Sequence, residues 1–180
     1  MGFLSTLVYF GLLWFVIAPL HTLLHELGHA LTALALGADR AIAQVGGRHI
    51  RDERIVARFA PGPLEIRVCS LVTAAFVGFA WYHKENKPLS RQRQAWIALA
   101  GPLTSLTITV LAATIAYNTR DAAALVRFLA QGTAMVSFFV MVFTALPITY
   151  GPQFGKAYAG HPSDMKRVLS LLRQSNEDES

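Results

Sequence analysis

Ten residues, His21 to Ala30 (HTLLHELGHA), concentrate the chemistry of this chain inside an apolar run from Phe3 to Leu36. On a helix, His25 and His29 lie four residues apart on one face, about 6 Å apart along the axis. Two neutral imidazoles at that spacing can share one zinc ion, and Glu26 then stands beside the open coordination position as a general base. HExxH alone is a short pattern that recurs by chance, but its setting sharpens it. Ionisable groups inside a membrane helix are costly and usually functional. The bland alternative is a polar seam between helices that binds nothing. His21, one turn before His25, could line the site or belong to such a seam, and spacing does not decide between them.

The segments that must position these groups are largely apolar. Of 180 residues 53% are hydrophobic, and the mean hydropathy is +0.40, which suits one compact membrane domain over residues 1–176 with a short acidic tail at 177–180. The run Phe3 to Leu36 would extend about 51 Å as a helix, against about 30 Å of hydrocarbon, so it must tilt, kink at Pro19 or project. Gly37 follows where a C-cap glycine belongs. Two further spans are expected at about 91–118, capped by Ser90, and 122–146, with a tight turn at Asn118 to Asp121 between them. Pro102 should kink the first of these, and Gly101 permits close helix approach.

Residues 41–82 change character. Arg54–Phe59 and Leu64–Val68 are short runs rich in branched residues, and Leu64, Ile66 and Val68 alternate with Glu65 and Arg67 as in a strand with one wet face. The stretch 70–82 is too short to span. It reads as further strand or interfacial structure against the membrane, with a re-entrant helix as the alternative. Ser163 should cap a C-terminal helix over 164–174 that places Met165, Val168, Leu169 and Leu172 on one face. The lone Cys69 excludes an internal disulfide and a cysteine-rich zinc site, and reads as a small buried apolar residue.

The net charge of +5 does not point to nucleic acid, because the basic residues flank apolar segments. Ten Lys and Arg lie between Gly37 and Arg93 and four follow Leu146, against Arg120 and Arg127 near the turn. By the positive-inside rule both basic regions, and the C-terminus, face the cytoplasm of a multi-pass cell-membrane protein, with the N-terminus outside. No basic n-region precedes the first apolar run, which is too long for an h-region, so it should remain as an anchor.

Four stretches together resemble the site-2 protease family of intramembrane zinc metalloproteases, in a small bacterial form. They are HELGHA at His25–Ala30, ALAGPL at Ala98–Leu103, ALPITYG at Ala145–Gly151 and HPSDMKRVLSLLR at His161–Arg173. The resemblance implies a membrane α-helical fold, with a three-span catalytic core and a small membrane-associated β-layer between spans 1 and 2. It also implies one Zn2+ per chain and cleavage of a single-span membrane protein in or near the bilayer. Such a substrate would be a membrane-tethered transcriptional regulator or a signal-peptide remnant, with an accessory membrane partner as a further possibility.

The family takes its third zinc ligand from a late aspartate. Elimination reaches a similar place: Asp39, Asp52, Glu53, Glu65 and Glu85 lie among arginines, Asp121 is expected on the far side, and Glu177, Asp178 and Glu179 are in the tail. Asp164 remains, with His161 as the rival ligand. Two departures stand out. Met165 replaces the family's usual glycine after the aspartate, and Thr144 replaces an asparagine thought to hold substrate or transition state. They favour one alternative, a zinc-binding membrane adaptor that does not cut. A transporter or channel subunit would spread polar residues over several spans, whereas here they concentrate in one.

The orientation is testable by labelling single-cysteine variants in intact cells. Position 120 should react only from outside, and labelling there only from the cytoplasmic side would overturn it.

Overall fold

The structure is a computed structural model and describes residues 3–47, 54–119 and 124–178. The chain is mostly helical, with a small sheet. Three of its helices, Phe3–Ala35, Arg91–Asn118 and Ala124–Ala145, are long and apolar enough to cross a membrane. Their large apolar side chains face outward, among them Phe10, Phe15, Val110, Leu111 and Phe139. That distribution suits lipid as the surrounding solvent.

The first span runs as α1 (Phe3–Leu12), a π-helical turn (Leu13–Ile17) and α2 (Ala18–Ala35). The expected break at Pro19 thus appears one turn earlier. A proline ring crowds the carbonyl four residues back, here that of Phe15. The wider turn relieves the crowding, and the Ala18 N–H donates to Leu13 O, five residues back. Gly37 ends the helix with φ +99°. Gly37 N–H donates to Leu34 O at 3.0 Å and Ala38 N–H to Ala33 O at 2.9 Å, the paired bonds of a Schellman cap.

Strands β1 (Arg40–Val45), β2 (Ala57–Phe59), β3 (Leu64–Val68) and β4 (Gly78–His83) form one sheet in the order β2-β3-β1-β4. β1 is parallel to β3 and antiparallel to β4, and β2 is antiparallel to β3. The Arg54–Phe59 run pairs only over its last three residues. β3's polar face is partly exposed, as expected, and its charges are paired: Glu65 accepts from Arg67 Nε at 2.6 Å and lies 2.7 Å from Arg58 Nε, and the Arg67 guanidinium lies over the Trp81 ring. These contacts hold Glu65's pKa below the ordinary carboxylate value, Arg67's hydrogen bond first. Residues 71–76 are turns, not a re-entrant helix. Leu71 and Val72 are exposed there, while Phe76 packs on Trp14 of the π turn. The layer therefore lies against the first span.

α3 (Arg91–Asn118) begins at Ser90, whose hydroxyl accepts from the Arg93 N–H as expected. α4 (Ala124–Ala145) covers the expected third span apart from its ends. Residues 120–123, including the expected turn at Arg120 and Asp121, lie outside the described residues, as do Asp52 and Glu53. α5 (Asp164–Asp178) is longer than the expected 164–174 helix, and it packs differently. Val168 is buried with Ala95 and Ala98 of α3, with Met165 and Leu171 beside it. Leu169 and Leu172 are 40% and 45% exposed. The periodicity gave the right helix but a stripe rotated from the one α3 covers. A second buried cluster of Ala30, Ala33, Ala38, Ala41, Ala43, Leu89 and Ile97 joins α2, β1 and α3. Its alanines let backbone approach backbone.

Candidate metal centre

α2 turns His21, His25, Glu26 and His29 inward, all buried. Four residues separate each histidine from the next, just over one turn, so the three imidazoles form a column on the face that meets α3. The fourth group comes from far along the chain. After α4 the chain loops out and returns, pairing Thr149 with Pro162 across an isolated bridge. Tyr150 N–H donates to His161 O and Gly160 N–H to Tyr150 O, each at 2.9 Å. Gly155 and Gly160 take positive φ in this loop, a conformation that suits glycine.

Ser163 fastens the return. Its N–H donates to Ile148 O at 2.9 Å, its hydroxyl donates to Leu146 O, and its Oγ accepts from Lys166 N–H at 3.3 Å. The last bond is an N-cap, so one serine both closes the loop and starts α5. Asp164 is thereby placed at the first position of α5.

Asp164 Oδ2 lies 3.2 Å from His25 Nε2 and 3.5 Å from His29 Nε2. One donor atom from each of the three residues falls within 4.8 Å of the others. Tetrahedral zinc with ligand bonds near 2.0–2.1 Å separates its ligand atoms by about 3.3 Å, so the two aspartate contacts have the right span. Gly101 of α3 faces the same point. A Cβ there would lie 2.6 Å from His25 Nε2 and overlap His29 Nε2. The donor set and the space it encloses therefore fit a metal ion.

The outer nitrogens of both histidines are engaged. His29 Nδ1 is 2.6 Å from Ile97 O. A carbonyl only accepts, so Nδ1 carries the hydrogen, and in the neutral ring Nε2 has its lone pair for a ligand. The Gly101 N–H also lies 3.3 Å from that nitrogen, but a protonated Nδ1 cannot accept it, and the shorter contact governs. His25 Nδ1 is 2.8 Å from Ser105 Oγ, Ser105 Oγ is 3.1 Å from His21 Nε2, and His21 Nδ1 is 2.8 Å from Ser137 Oγ. Ser105 and Ser137 have no exposed surface. The chain of contacts runs in either direction. With His25 donating from Nδ1, Ser105 donates on to His21 Nε2, His21 donates to Ser137, and His25 Nε2 is left free for a metal; reversed, Ser105 donates to His25 Nδ1 and His25 Nε2 donates to Asp164. His21 thus belongs to the site as a support for His25, joining α2 to α3 and α4.

Glu26 is buried at the mouth of β4. A Cβ on Gly78 would lie 2.6 Å from Glu26 Oε1 and 2.7 Å from the Thr22 methyl, so glycine gives the carboxylate its room. Gly78 also meets Tyr158 of the returning loop, whose hydroxyl accepts from Gly78 N–H at 2.9 Å and donates to Gly78 O at 3.2 Å. Burial first, and then the charge of Glu26, pushes the Tyr158 phenol above its ordinary pKa.

The rival His161 is not in the cluster, and its ring lies edge-on to Phe79 at 6.3 Å. Met165 is helical, with negative φ, so no glycine is required there. The Thr144 hydroxyl donates within its own helix, to Val140 O at 2.9 Å. Sequence reasoning did not single out Ser105, Ser137, Gly78 or Tyr158. Ser105 and Ser137 carried only the weak signal of a small polar residue in an apolar helix, and no spacing tied Tyr158 to Gly78. No family model, curated protein or solved structure matches the chain.

Metal content separates the ligand set from its rival. Purified protein should hold one zinc per chain. Asp164→Ala and Gly101→Ala should both lose it, the second by filling the site, while His161→Ala keeps it; the reverse result for Asp164 and His161 would make His161 the ligand. The histidine–serine chain has its own signature in chelator competition. His21→Leu should weaken zinc binding by about 10–100-fold, and His21→Gln, whose amide can accept and donate in turn, should recover most of it. Equal losses in both variants would mean that His21 only fills space.

Proposed function

We propose that this chain is a zinc-dependent intramembrane endopeptidase that cleaves a membrane-spanning substrate within or near the bilayer. One observation carries the reading: an HExxH pair on an apolar helix meets Asp164, 139 residues beyond His25, at ligand distances. A structural ion pair would explain that meeting, but not the space kept by Gly101 where the three donor atoms converge. The two histidines lie on one of three helices long and apolar enough to cross a membrane, and Gly101 of a second faces them. The resemblance to the site-2 protease family supports the same assignment, and the apolar spans with their flanking basic residues support a location in the cell membrane.

In this proposal His25, His29 and Asp164 hold the ion. When bound, zinc supplies a Lewis acid that polarises the scissile carbonyl and makes water more acidic. Glu26, free of any hydrogen-bond partner among the described residues, takes the proton of the attacking water and delivers it to the leaving amine. Ser105 and Ile97 O hold the two imidazoles in the ligating tautomer. The substrate helix must unwind to expose its backbone, and β4, the edge strand beside Glu26, offers that backbone a partner. The adaptor reading draws support from Thr144, whose hydroxyl is engaged with its own helix and not directed at the site.

The enzyme and the adaptor separate at Glu26. Glu26→Gln should retain zinc and fold while losing about 10²–10⁴ in rate, the usual effect of removing a general base. Zinc content and cleavage of a co-expressed single-span protein are measured together for both forms. Unchanged cleavage would remove Glu26 as base, and no cleavage by the wild type across a broad substrate panel would favour the adaptor.

A further inference from the structure

β4 is an edge strand, and its alternation fixes which of its groups face outward. Val77 O accepts from Gly46 and His83 O from Asp39 on the β1 side. The backbone groups of Gly78, Ala80 and Tyr82 therefore point to the open side. At Gly78 that side is already filled. The Tyr158 hydroxyl accepts from the Gly78 N–H and donates to the Gly78 carbonyl. A residue of an added antiparallel strand would make the same two bonds. Here one side-chain oxygen makes both.

The place of this contact matters, because Gly78 is also the residue against which Glu26 rests. A strand continuing along β4 to its first residue would arrive beside the proposed base. We infer that Tyr158 is an internal placeholder for the substrate, holding the pairing position at Gly78 until an extended segment displaces it. The inference rests on the proteolytic reading and adds a regulated step to it. The ring is held by Phe79 and Tyr150, each with its centroid 5.3 Å away. The loop that carries Tyr158 is the one that ends at Asp164, so displacing the tyrosine disturbs the chain on the ligand side of the site. Entry of substrate and the setting of the site would then be linked through one loop.

Tyr158→Phe removes the hydroxyl and keeps the ring, so it tests the contact without emptying the packing. The experiment uses full-length Glu26→Gln protein in micelles, with and without Tyr158→Phe, and a short fluorescent peptide of alternating Val and Ser. Losing two competing hydrogen bonds should tighten peptide binding by about three- to tenfold. N-methylation of the peptide backbone should abolish the gain. The Gly78 amide should exchange slowly in the parent, quickly in the Phe variant, and slowly again with peptide bound. Equal or weaker binding by the variant, no binding at all, or an unprotected Gly78 amide in the parent would each overturn the placeholder. Zinc content of the Phe variant, unchanged, reports that the fold is intact. The two readings fail separately: wild-type cleavage without an affinity gain removes only the placeholder, and an affinity gain without cleavage removes only the protease.

Discussion

Polar groups inside an apolar bundle must satisfy one another, and the column of polar groups on α2 sets this requirement for every other element. A buried donor or acceptor left alone costs about 1–3 kcal/mol, and more when charged. The histidines of α2 are answered from three directions. α3 contributes Ser105 and the Ile97 carbonyl, α4 contributes Ser137, and α5 contributes Asp164. β4 makes room for Glu26. Each contact fixes a partner helix in rotation as well as in distance, because the side chain that answers must point inward. In a membrane, where apolar packing alone discriminates weakly between helix faces, such polar contacts choose the face.

That choice depends on closeness, which small residues supply. A Cβ on Gly28 would overlap Thr104 Oγ1 and lie 3.1 Å from Ala100 O, so α2 and α3 touch backbone to backbone at that level. Gly101, one turn from Ala98 on α3, keeps open the point where the three donor atoms converge. Pro102 follows it and withholds the donor that would serve the Ala98 carbonyl, one residue past the Ile97 carbonyl that accepts from His29.

Much of this was legible in the sequence, for reasons that differ by element. The helix of His25 and His29 follows from spacing and an unbroken apolar run. β3 follows from its alternation, but the pairing of its polar face does not, because Glu65 is met by Arg67 beside it and Arg58 from β2, and pairing between strands leaves no local trace. β1 escaped notice as a separate strand: RAIAQV is short, and its burial is decided by α2 on one face. The α5 stripe was misread because Leu169 and Leu172 fit a 3.6-residue period as well as Leu171 does, and only the position of α3 selects among them. Asp164 was reached by elimination and resemblance, since nothing local marks one aspartate as a ligand. His21 could not be assigned at all, for its role exists only through Ser105 and Ser137, more than 80 and 110 residues away.

Charge gives the last constraint on what the centre holds. Glu26, buried, and Asp164, half-buried, bring two carboxylates near one another, and among the described residues no Lys or Arg pairs with either. Two negative charges so placed repel each other and are poorly solvated, a combination proteins avoid unless a cation is present. A divalent ion on two neutral imidazoles and one carboxylate, with the second carboxylate nearby, brings the group to neutrality. A monovalent ion leaves it negative, and a trivalent ion leaves it positive. At His29 the outer nitrogen donates to the Ile97 carbonyl, which leaves Nε2 as the ring's metal-binding atom. The N-terminus of α5 adds its partial positive charge at Asp164, which steadies the carboxylate and also fixes it in a helical turn where Met165 fits without strain. Donor geometry and charge thus support a divalent metal independently of the resemblance that first suggested one.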